Sequence, residues 1–466
     1  MKRIVTILLS LASFAYAGAV NYAGIQSGID SIISNSLPAG TDISVCVWDL
    51  TADKEVYSHR EDILNRPAST MKVLTSFTAL SYLGADYCFK TEIRTDGRIG
   101  DDGILDGNLY IVGGLDPQLA ETDLQNMVAD ISAAGIKGIR GDVVADITVM
   151  DSVYWGSGWV WDDTPNSFQP YISPLMVHGG YVAVSVKPGR RGDSPVVTVV
   201  PESGYYEVEN RAVTGDTSKG PLTIVRDWLE NSNTIIIDGN AAQAATINLN
   251  IYDSDNFTFT LFREYLDAAS VGYGGYRYGR CPADASLLAV AGHSIKSVIK
   301  EALKESVNVD AEALLLQSAR AYSPSETSFN RAAKFQESFL RKRVDCAGGN
   351  FSMADGSGLS VYDYVPASLF VEVLKQIYSD NEMFGIIYTS LPISGHDGTL
   401  RGRMGGAETA GRVHAKTGTV TGSCTLAGYA KTSDGHDLAF CIMNSGAVKM
   451  AGSRRVQDLI CRILCE

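Results

Sequence analysis

Pro67-Ala68-Ser69-Thr70-Met71-Lys72 stands at the head of an apolar stripe, Val73, Phe77, Leu80 and Leu83, that recurs at helical spacing until Gly84. Proline suits the first helical position because the N–H it lacks would have no partner there. Ser69 is therefore expected in the first turn of a helix, with Lys72 three residues on and on the same face. Just upstream, Ile43 to Leu50 alternates as a strand and ends before a turn at Asp53. Further along, two more short elements follow in order: Ser306-Val307-Asn308 and Lys416-Thr417-Gly418-Thr419. Alone, each is weak, since Ser-x-x-Lys arises by chance about once or twice in a chain of this length. Their contexts carry the argument.

A serine hydroxyl is a poor nucleophile at neutral pH and needs a nearby base and donors for the oxyanion formed on attack. A helix start favours negative charge through the helix dipole, and Lys72 is within reach of the Ser69 hydroxyl. To serve as base, Lys72 must be neutral, which means lowering its pKa from about 10.4 toward 7, roughly 4–5 kcal/mol. Burial and a second cation do this, and Lys416 is the expected second cation. A second Ser-x-x-Lys, Ser297 to Lys300, falls on the polar side of an amphipathic helix and past its start, so it is set aside.

Three Ser-x-Asn triplets compete. Ser254-Asp255-Asn256 reads as an Asp-rich turn, and Ser328-Phe329-Asn330 is a third candidate. Ser306 and Asn308 are preferred because they interrupt a helical period: Ile295, Val298, Ile299, Ala302 and Leu303 precede them, and Ala313, Leu314 and Leu316 follow. Such a turn can face a cleft. Lys416 and Thr417 supply a cation and a hydroxyl for a substrate carboxylate, and Gly418 lets a ligand backbone approach. If the strand carrying them is an edge, it can also hold an extended peptide by strand addition.

Val413 to Gly418, Thr425 to Ala430 and Leu438 to Met443, with an Asp434-Gly435 turn, predict an antiparallel meander, closed by a helix presenting Val456, Leu459, Ile460 and Ile463. Between about Lys90 and Arg280 the chain turns strand-like and rich in Gly and Asp. The expected organisation is a discontinuous domain of residues 18–88 and 286–466, interrupted by an inserted region at 89–285 with two subdomains. Residues 1–17 read as a secretory signal: Lys2 and Arg3, an apolar run from Ile4 to Phe14, and a small-residue site at Ala15-Tyr16-Ala17. Export follows, to a periplasm, with no transmembrane anchor left in the mature chain. The formal charge of −14 repels nucleic acid and anionic lipid, so neither is expected as a partner. Of eight Cys, Cys46, Cys424 and Cys441 sit in apolar runs, and only Cys461 and Cys465 are close in sequence. No His-Cys cluster has metal-ligand spacing, so no metal or other cofactor is expected.

Ser69 to Lys72, Ser306 to Asn308 and Lys416 to Gly418 together resemble the motif set of penicillin-recognising serine acyl-transfer enzymes. The chain is similar, over nearly its whole mature length, to the penicillin-binding-protein-4 type of D-alanyl-D-alanine carboxypeptidase and endopeptidase, the S13 serine peptidases. Asn308 to Glu312, Asp355 to Ser360 and Leu391 to Leu400 carry the similarity further, as does the long gap between Ser69 and Ser306. Val307 departs from the usual Asp or Asn. The resemblance implies an α+β, β-lactamase/transpeptidase-like domain, an antiparallel sheet flanked by helices, with smaller mainly-β inserted domains. It implies that Ser69 attacks the D-Ala-D-Ala bond of peptidoglycan stem peptides, that Lys72 takes its proton, and that Ser306 relays one to the leaving amine. Asn308 would bind the acyl-side amide, Lys416 and Thr417 the terminal carboxylate, and the N–H groups of Ser69 and Thr419 the oxyanion. β-Lactam antibiotics would stall the acyl-enzyme. The rival readings are a β-lactamase, a non-catalytic wall-binding protein for which Arg191-Gly192-Asp193 is a poor signal, and a Ser-His-Asp hydrolase using His396 and Asp397. The last lacks a Gly-x-Ser-x-Gly elbow.

Overall fold

The computed structural model of the chain describes residues 20–344 and 350–466, and the signal-like stretch 1–17 lies outside them. Both ends of the chain build one five-stranded antiparallel sheet, in the order Val413–Val420, Gly422–Lys431, Asp437–Ala447, Asp42–Asp49, Lys54–His59. The two middle strands from the C-terminal end are buried almost throughout. Helices cover both faces, so these strands read as near-continuous apolar runs rather than alternating ones. On one face Val45, Phe440 and Ile442 pack with helices Tyr22–Ser36 and Met450–Cys465. On the other, Ala427, Tyr429 and Met443 pack with helices Met71–Leu83, Ile295–Lys304 and Ala367–Ser379. A wholly buried ring such as Phe440 contributes roughly 3–5 kcal/mol against truncation to alanine, and the two faces hold dozens of such side chains.

The closing helix turns its face slightly from expectation. Val456 and Ile460 are buried, but Cys461, Leu464 and Cys465 complete the stripe and Leu459 and Ile463 lie at its margin. Cys461 and Cys465 are free thiols, and Cys46 lies opposite Cys441 across two strands, also free.

Between the two halves lies a mixed sheet in which Gly138–Asp146 pairs in parallel with Leu109–Val112, Ile104–Asp106 and Gly272–Tyr278. Cys88–Thr95 and Ser286–Ser294 form its antiparallel margin, with Ser294 opposite Cys88. The strand Ser286–Ser294 thus belongs to the inserted sheet, and the helical core resumes at Ile295. Two three-stranded sheets complete the insert, and helices Glu121–Ala133 and Ser254–Ala268 share one apolar cluster with all three. Among the described residues no helix is long and apolar enough to cross a membrane.

Candidate active site

Ser69 lies on a single 3-10 turn, Ala68–Thr70, that feeds the α-helix starting at Met71. The turn is tighter than the α-helical start expected from Pro67 because Ala68 sits at φ +49, in the left-handed region. Ser306 also has a positive φ, +66, in the link between helices Ile295–Lys304 and Asn308–Tyr322, and Asn308 opens the second. Lys416, Thr417, Gly418 and Thr419 lie on the edge strand of the five-stranded sheet.

These elements converge. Lys72 Nζ donates to Ser69 Oγ at 2.9 Å, to Asn308 Oδ1 at 2.6 Å and to the Ser357 carbonyl at 2.9 Å. Lys416 Nζ donates to Ser306 Oγ and to the Thr417 carbonyl, both at 2.9 Å. Asn308 Nδ2 donates to the Phe168 carbonyl at 2.6 Å, so the insert reaches the site. A cavity of about 790 Å³ opens there, lined by Ser69, Ser306, Asn308 and Thr419 together with Asp162, Asp163 and Phe168 of the insert. Lys72 and Lys416 are wholly buried behind it. Thr417 turns aside to donate to Thr399 Oγ1 at 2.7 Å. A Cβ on Gly418 would stand 2.1 Å from Thr425 Oγ1 and 3.0 Å from Ser69 N, so the strand approaches the serine as closely as a glycine allows.

Burial is the dominant influence on both lysines and disfavours their charged forms. Lys72 is pushed down to about 8, and Asp355, Glu312 and Asp310 hold it from falling further. Lys416 is pushed well below its ordinary value, first by burial and then by the charge of Lys72. The expected cause is thereby corrected: burial supplies the shift at Lys72, whereas the lysine–lysine repulsion is felt chiefly at Lys416.

Beneath Lys72 lies a shell of carboxyls that the motif reading missed. Glu312 accepts from Gly356 N at 2.9 Å and Ser357 N at 2.8 Å. Asp355 accepts from Gly358 N and Ser360 N, both at 2.7 Å, and from Trp159 Nε1 at 2.8 Å. Burial raises Glu312 to about 8 and Asp363 well above the usual carboxylate range. Glu312 follows Asn308 by one helical turn, and that spacing was the available signal. Arg454, whose Nη2 reaches Thr419 Oγ1 at 3.4 Å, had none.

The discarded candidates lie elsewhere. Ser297 sits in the first turn of its helix, not past it, because Ser294 caps that helix, and its hydroxyl donates to Gln118 Oε1 at 2.7 Å. Ser328 is the N-cap of helix Phe329–Arg343. Asp397 is engaged by Lys304 Nζ at 2.9 Å and by Ile393 N at 2.8 Å rather than by His396. Ser254 does not form a plain turn: it opens helix Ser254–Ala268, where Phe257, Leu261 and Phe262 recur at helical spacing, and its Oγ donates to the Tyr171 carbonyl at 2.6 Å. Ser254→Ala is therefore expected to lower stability by about 1–2 kcal/mol through the lost buried bond. Its turnover should stay within about twofold of wild type once folded, since no atom of the site is touched; thermal melting beside a rate assay checks both.

Comparison with known proteins finds relatives along nearly the whole chain. The D-Ala-D-Ala carboxypeptidase 3 (S13) family matches residues 25–465. A D-alanyl-D-alanine carboxypeptidase of Actinomadura sp. (strain R39) is 33% identical over 480 residues, covering 99% of this chain and 88% of the relative. The D-alanyl-D-alanine carboxypeptidase DacB of Haemophilus influenzae is 25% identical, covering 94% of this chain and 93% of its own. The crystal structure of penicillin binding protein 4 from Haemophilus influenzae superposes with a TM-score of 0.82 at 24% identity, over 94% of this chain and 98% of that one, and shares the fold. With the motif residues brought to one cleft and the match running nearly end to end, the chain belongs to the D-Ala-D-Ala carboxypeptidase 3 (S13) family of peptidases.

Proposed function

We propose that the chain is a serine-type D-Ala-D-Ala carboxypeptidase of peptidoglycan stem peptides, working through an acyl-enzyme on Ser69. The observation that carries this reading is the buried Lys72 amine, 2.9 Å from the Ser69 hydroxyl and pushed down to about 8, where a base is available near neutral pH. Ser69 Oγ attacks the penultimate D-Ala carbonyl and its proton passes to Lys72 Nζ. The N–H groups of Ser69 and Thr419 receive the oxyanion. Collapse breaks the C–N bond, and the proton held by Lys72 is relayed through the Ser306 hydroxyl to the departing amine, that hydroxyl being polarised by Lys416 from behind. Asn308 holds Lys72 and the acyl-side amide. Thr417, Gly418 and Thr419 form the wall where the terminal carboxylate rests, with the charge of Lys416 beneath. Water then attacks the ester, releasing the acid and restoring Ser69. Cross-linked stem peptides offer the same bond beside D-Ala, so endopeptidase action uses the same groups.

Penicillins present a strained amide and a carboxylate to the same groups and are proposed as acylating inhibitors. Residues 18–88 and 295–466 are proposed as the catalytic unit, with the insert, including strand Ser286–Ser294, shaping the cleft through Phe168 and Asp162. The secretory character of residues 1–17 supports export, with the periplasm as destination. Intact-mass spectrometry after adding benzylpenicillin tests the proposal. A lasting one-to-one adduct, mapped to the peptide bearing Ser69, is expected. An adduct on another residue, or none, overturns it, and a fleeting adduct with drug consumed replaces it by a penicillin-hydrolysing activity.

A further inference from the structure

Two tryptophans meet at a tilt of 42° beside the cleft, one exposed and one half-buried, and no step of acyl transfer uses them. Trp161 is 64% exposed, and its ring centroid lies 4.9 Å from that of Trp228. Trp161 is flanked by Val160 and Asp162, both of which line the catalytic cavity, so the aromatic surface is continuous with it. Leu229, next to Trp228 in the chain, is 68% exposed, and Phe168, which lines the cavity, is 45% exposed. Such exposed apolar surface beside a binding cleft marks a place where something docks.

The pair is held from below. Trp228 rides the turn after strand Thr223–Arg226, and Arg226 is wholly buried under it. Arg226 Nη1 donates to the Ser232 carbonyl at 2.7 Å, and its Nε and Nη2 reach the carbonyl and Oδ1 of Asn250, both at 2.9 Å. Asn250 Nδ2 donates to Thr164 Oγ1 at 2.7 Å and to the Gln169 carbonyl at 2.8 Å, and Gln169 Nε2 donates to the Val160 carbonyl at 2.8 Å. One buried polar frame thus joins the turn of Trp228 to the residue beside Trp161. Burying a guanidinium is costly unless its donors are satisfied, and here they are used to fix two surface turns against each other.

The groups around the rings select the ligand. Asp162 and Asp163 follow Trp161 in the chain, and Asp227 and Glu230 bracket Trp228. Carboxylates there repel anionic polymers and lipid headgroups, and they accept hydrogen bonds from hydroxyls. A pyranose ring matches this surface, with an apolar C–H face for stacking and a hydroxyl edge for the carboxylates. We propose that Trp161 and Trp228 form a stacking platform for the amino-sugar backbone of peptidoglycan, gripping the glycan strand whose stem peptide enters the cleft. The identity of the ligand rests on the peptidase reading, and the test separates the two.

The probe is a tetramer of β-1,4-linked N-acetylglucosamine, which carries sugar rings and no peptide. Titrated into the wild-type protein, it is expected to give a saturable change in tryptophan fluorescence, and calorimetry should show binding weakened at least about tenfold in W161A and in W228A. With a disaccharide-linked pentapeptide as substrate, W161A should raise KM about tenfold, while kcat/KM on a short acyl-peptide ending in D-Ala-D-Ala stays within about twofold. Equal losses on both substrates, or no tetramer binding by the wild type, overturn the platform. Self-association of the wild type that W161A abolishes also overturns it, making the patch an interface between copies. Should neither peptide be cleaved, the peptidase reading fails while the tetramer titration still decides the platform.

Discussion

Replacing Lys72 by methionine will slow acylation by benzylpenicillin about 10²–10⁴-fold, the usual loss when a positioned general base is removed. Methionine fills the same space, so Ser69 and its turn stay in place and the loss reports the amine itself. Stability should move by less than about 2 kcal/mol, because two effects oppose: a buried ammonium is removed, but Asn308 Oδ1 and the Ser357 carbonyl lose their donor. A second-order acylation rate within tenfold of wild type for this variant would remove Lys72 from the role of base.

The pH dependence follows from the same amine. With Lys72 pushed down to about 8, acylation should climb with pH, level off above that value, and at pH 7 run at about a tenth of its plateau. Stability carries a second signature. Between about 8 and its ordinary 10.5, Lys72 is protonated in the unfolded chain and neutral in the native one, so its contribution grows as pH rises through that window. Glu312 acts in the opposite sense. Raised from 4.5 to about 8, it keeps a proton in the native state that the unfolded chain has released, and its contribution is lost as pH rises across that range. Lys416, also pushed down by burial, adds to the alkaline trend, so Lys72→Met should weaken that trend without removing it and leave the acidic one in place, which urea titrations across the pH range would reveal.

How much of this was legible in the sequence depends on the range of the contacts. Ser69 with Lys72, and Ser306 with Asn308, are local pairs whose helical context shows in periodicity alone: Ser306 falls in the link between two helices, and Ser69 on a 3-10 turn just ahead of the expected one. The sheet strands were legible because both faces are covered, leaving unbroken apolar runs. Glu312, Asp355 and Asp363 were not, because a carboxyl in a sequence reads as solvent-facing unless its donors are known, and those donors lie up to 45 residues away or on the insert. Ser254 misled because Asp253, at φ +60, gives its surroundings the composition of a turn while a helix begins one residue later. The junction near Ser286 was invisible for a similar reason: a strand with mostly exposed positions gives no period, and its partner, Cys88–Thr95, is nearly 200 residues away.

The loop Asp355 to Ser360 supports the second large effect. Gly358 has φ +79, and a Cβ there would stand 1.9 Å from the Ala68 carbonyl oxygen and 3.0 Å from Met71 Cβ. The loop is held in place, because Glu312 accepts from Gly356 N and Ser357 N, Trp159 Nε1 donates to Asp355, and Asp355 in turn accepts from Gly358 N and Ser360 N. Ala68 must yield instead, and it is already held at a positive φ one residue before the nucleophile. Gly358→Ala is therefore expected to cost about 3 kcal/mol or more, combining left-handed strain with overlap of two backbones. The fraction that folds should acylate at least about 100-fold more slowly, since a shift of about 1 Å at Ser69 misaligns it with Lys72. Gly40→Ala separates the two causes: its φ is +78, yet nothing lies within 4 Å of the added Cβ, so it carries the strain alone, about 1–2 kcal/mol. If calorimetry finds equal losses for the two variants and Gly358→Ala retains its acylation rate, the contact between this loop and Ala68 does not hold the nucleophile. A larger loss at Gly358 together with the rate defect means that the loop sets the position of Ser69 as well as carrying the carbonyl that binds Lys72.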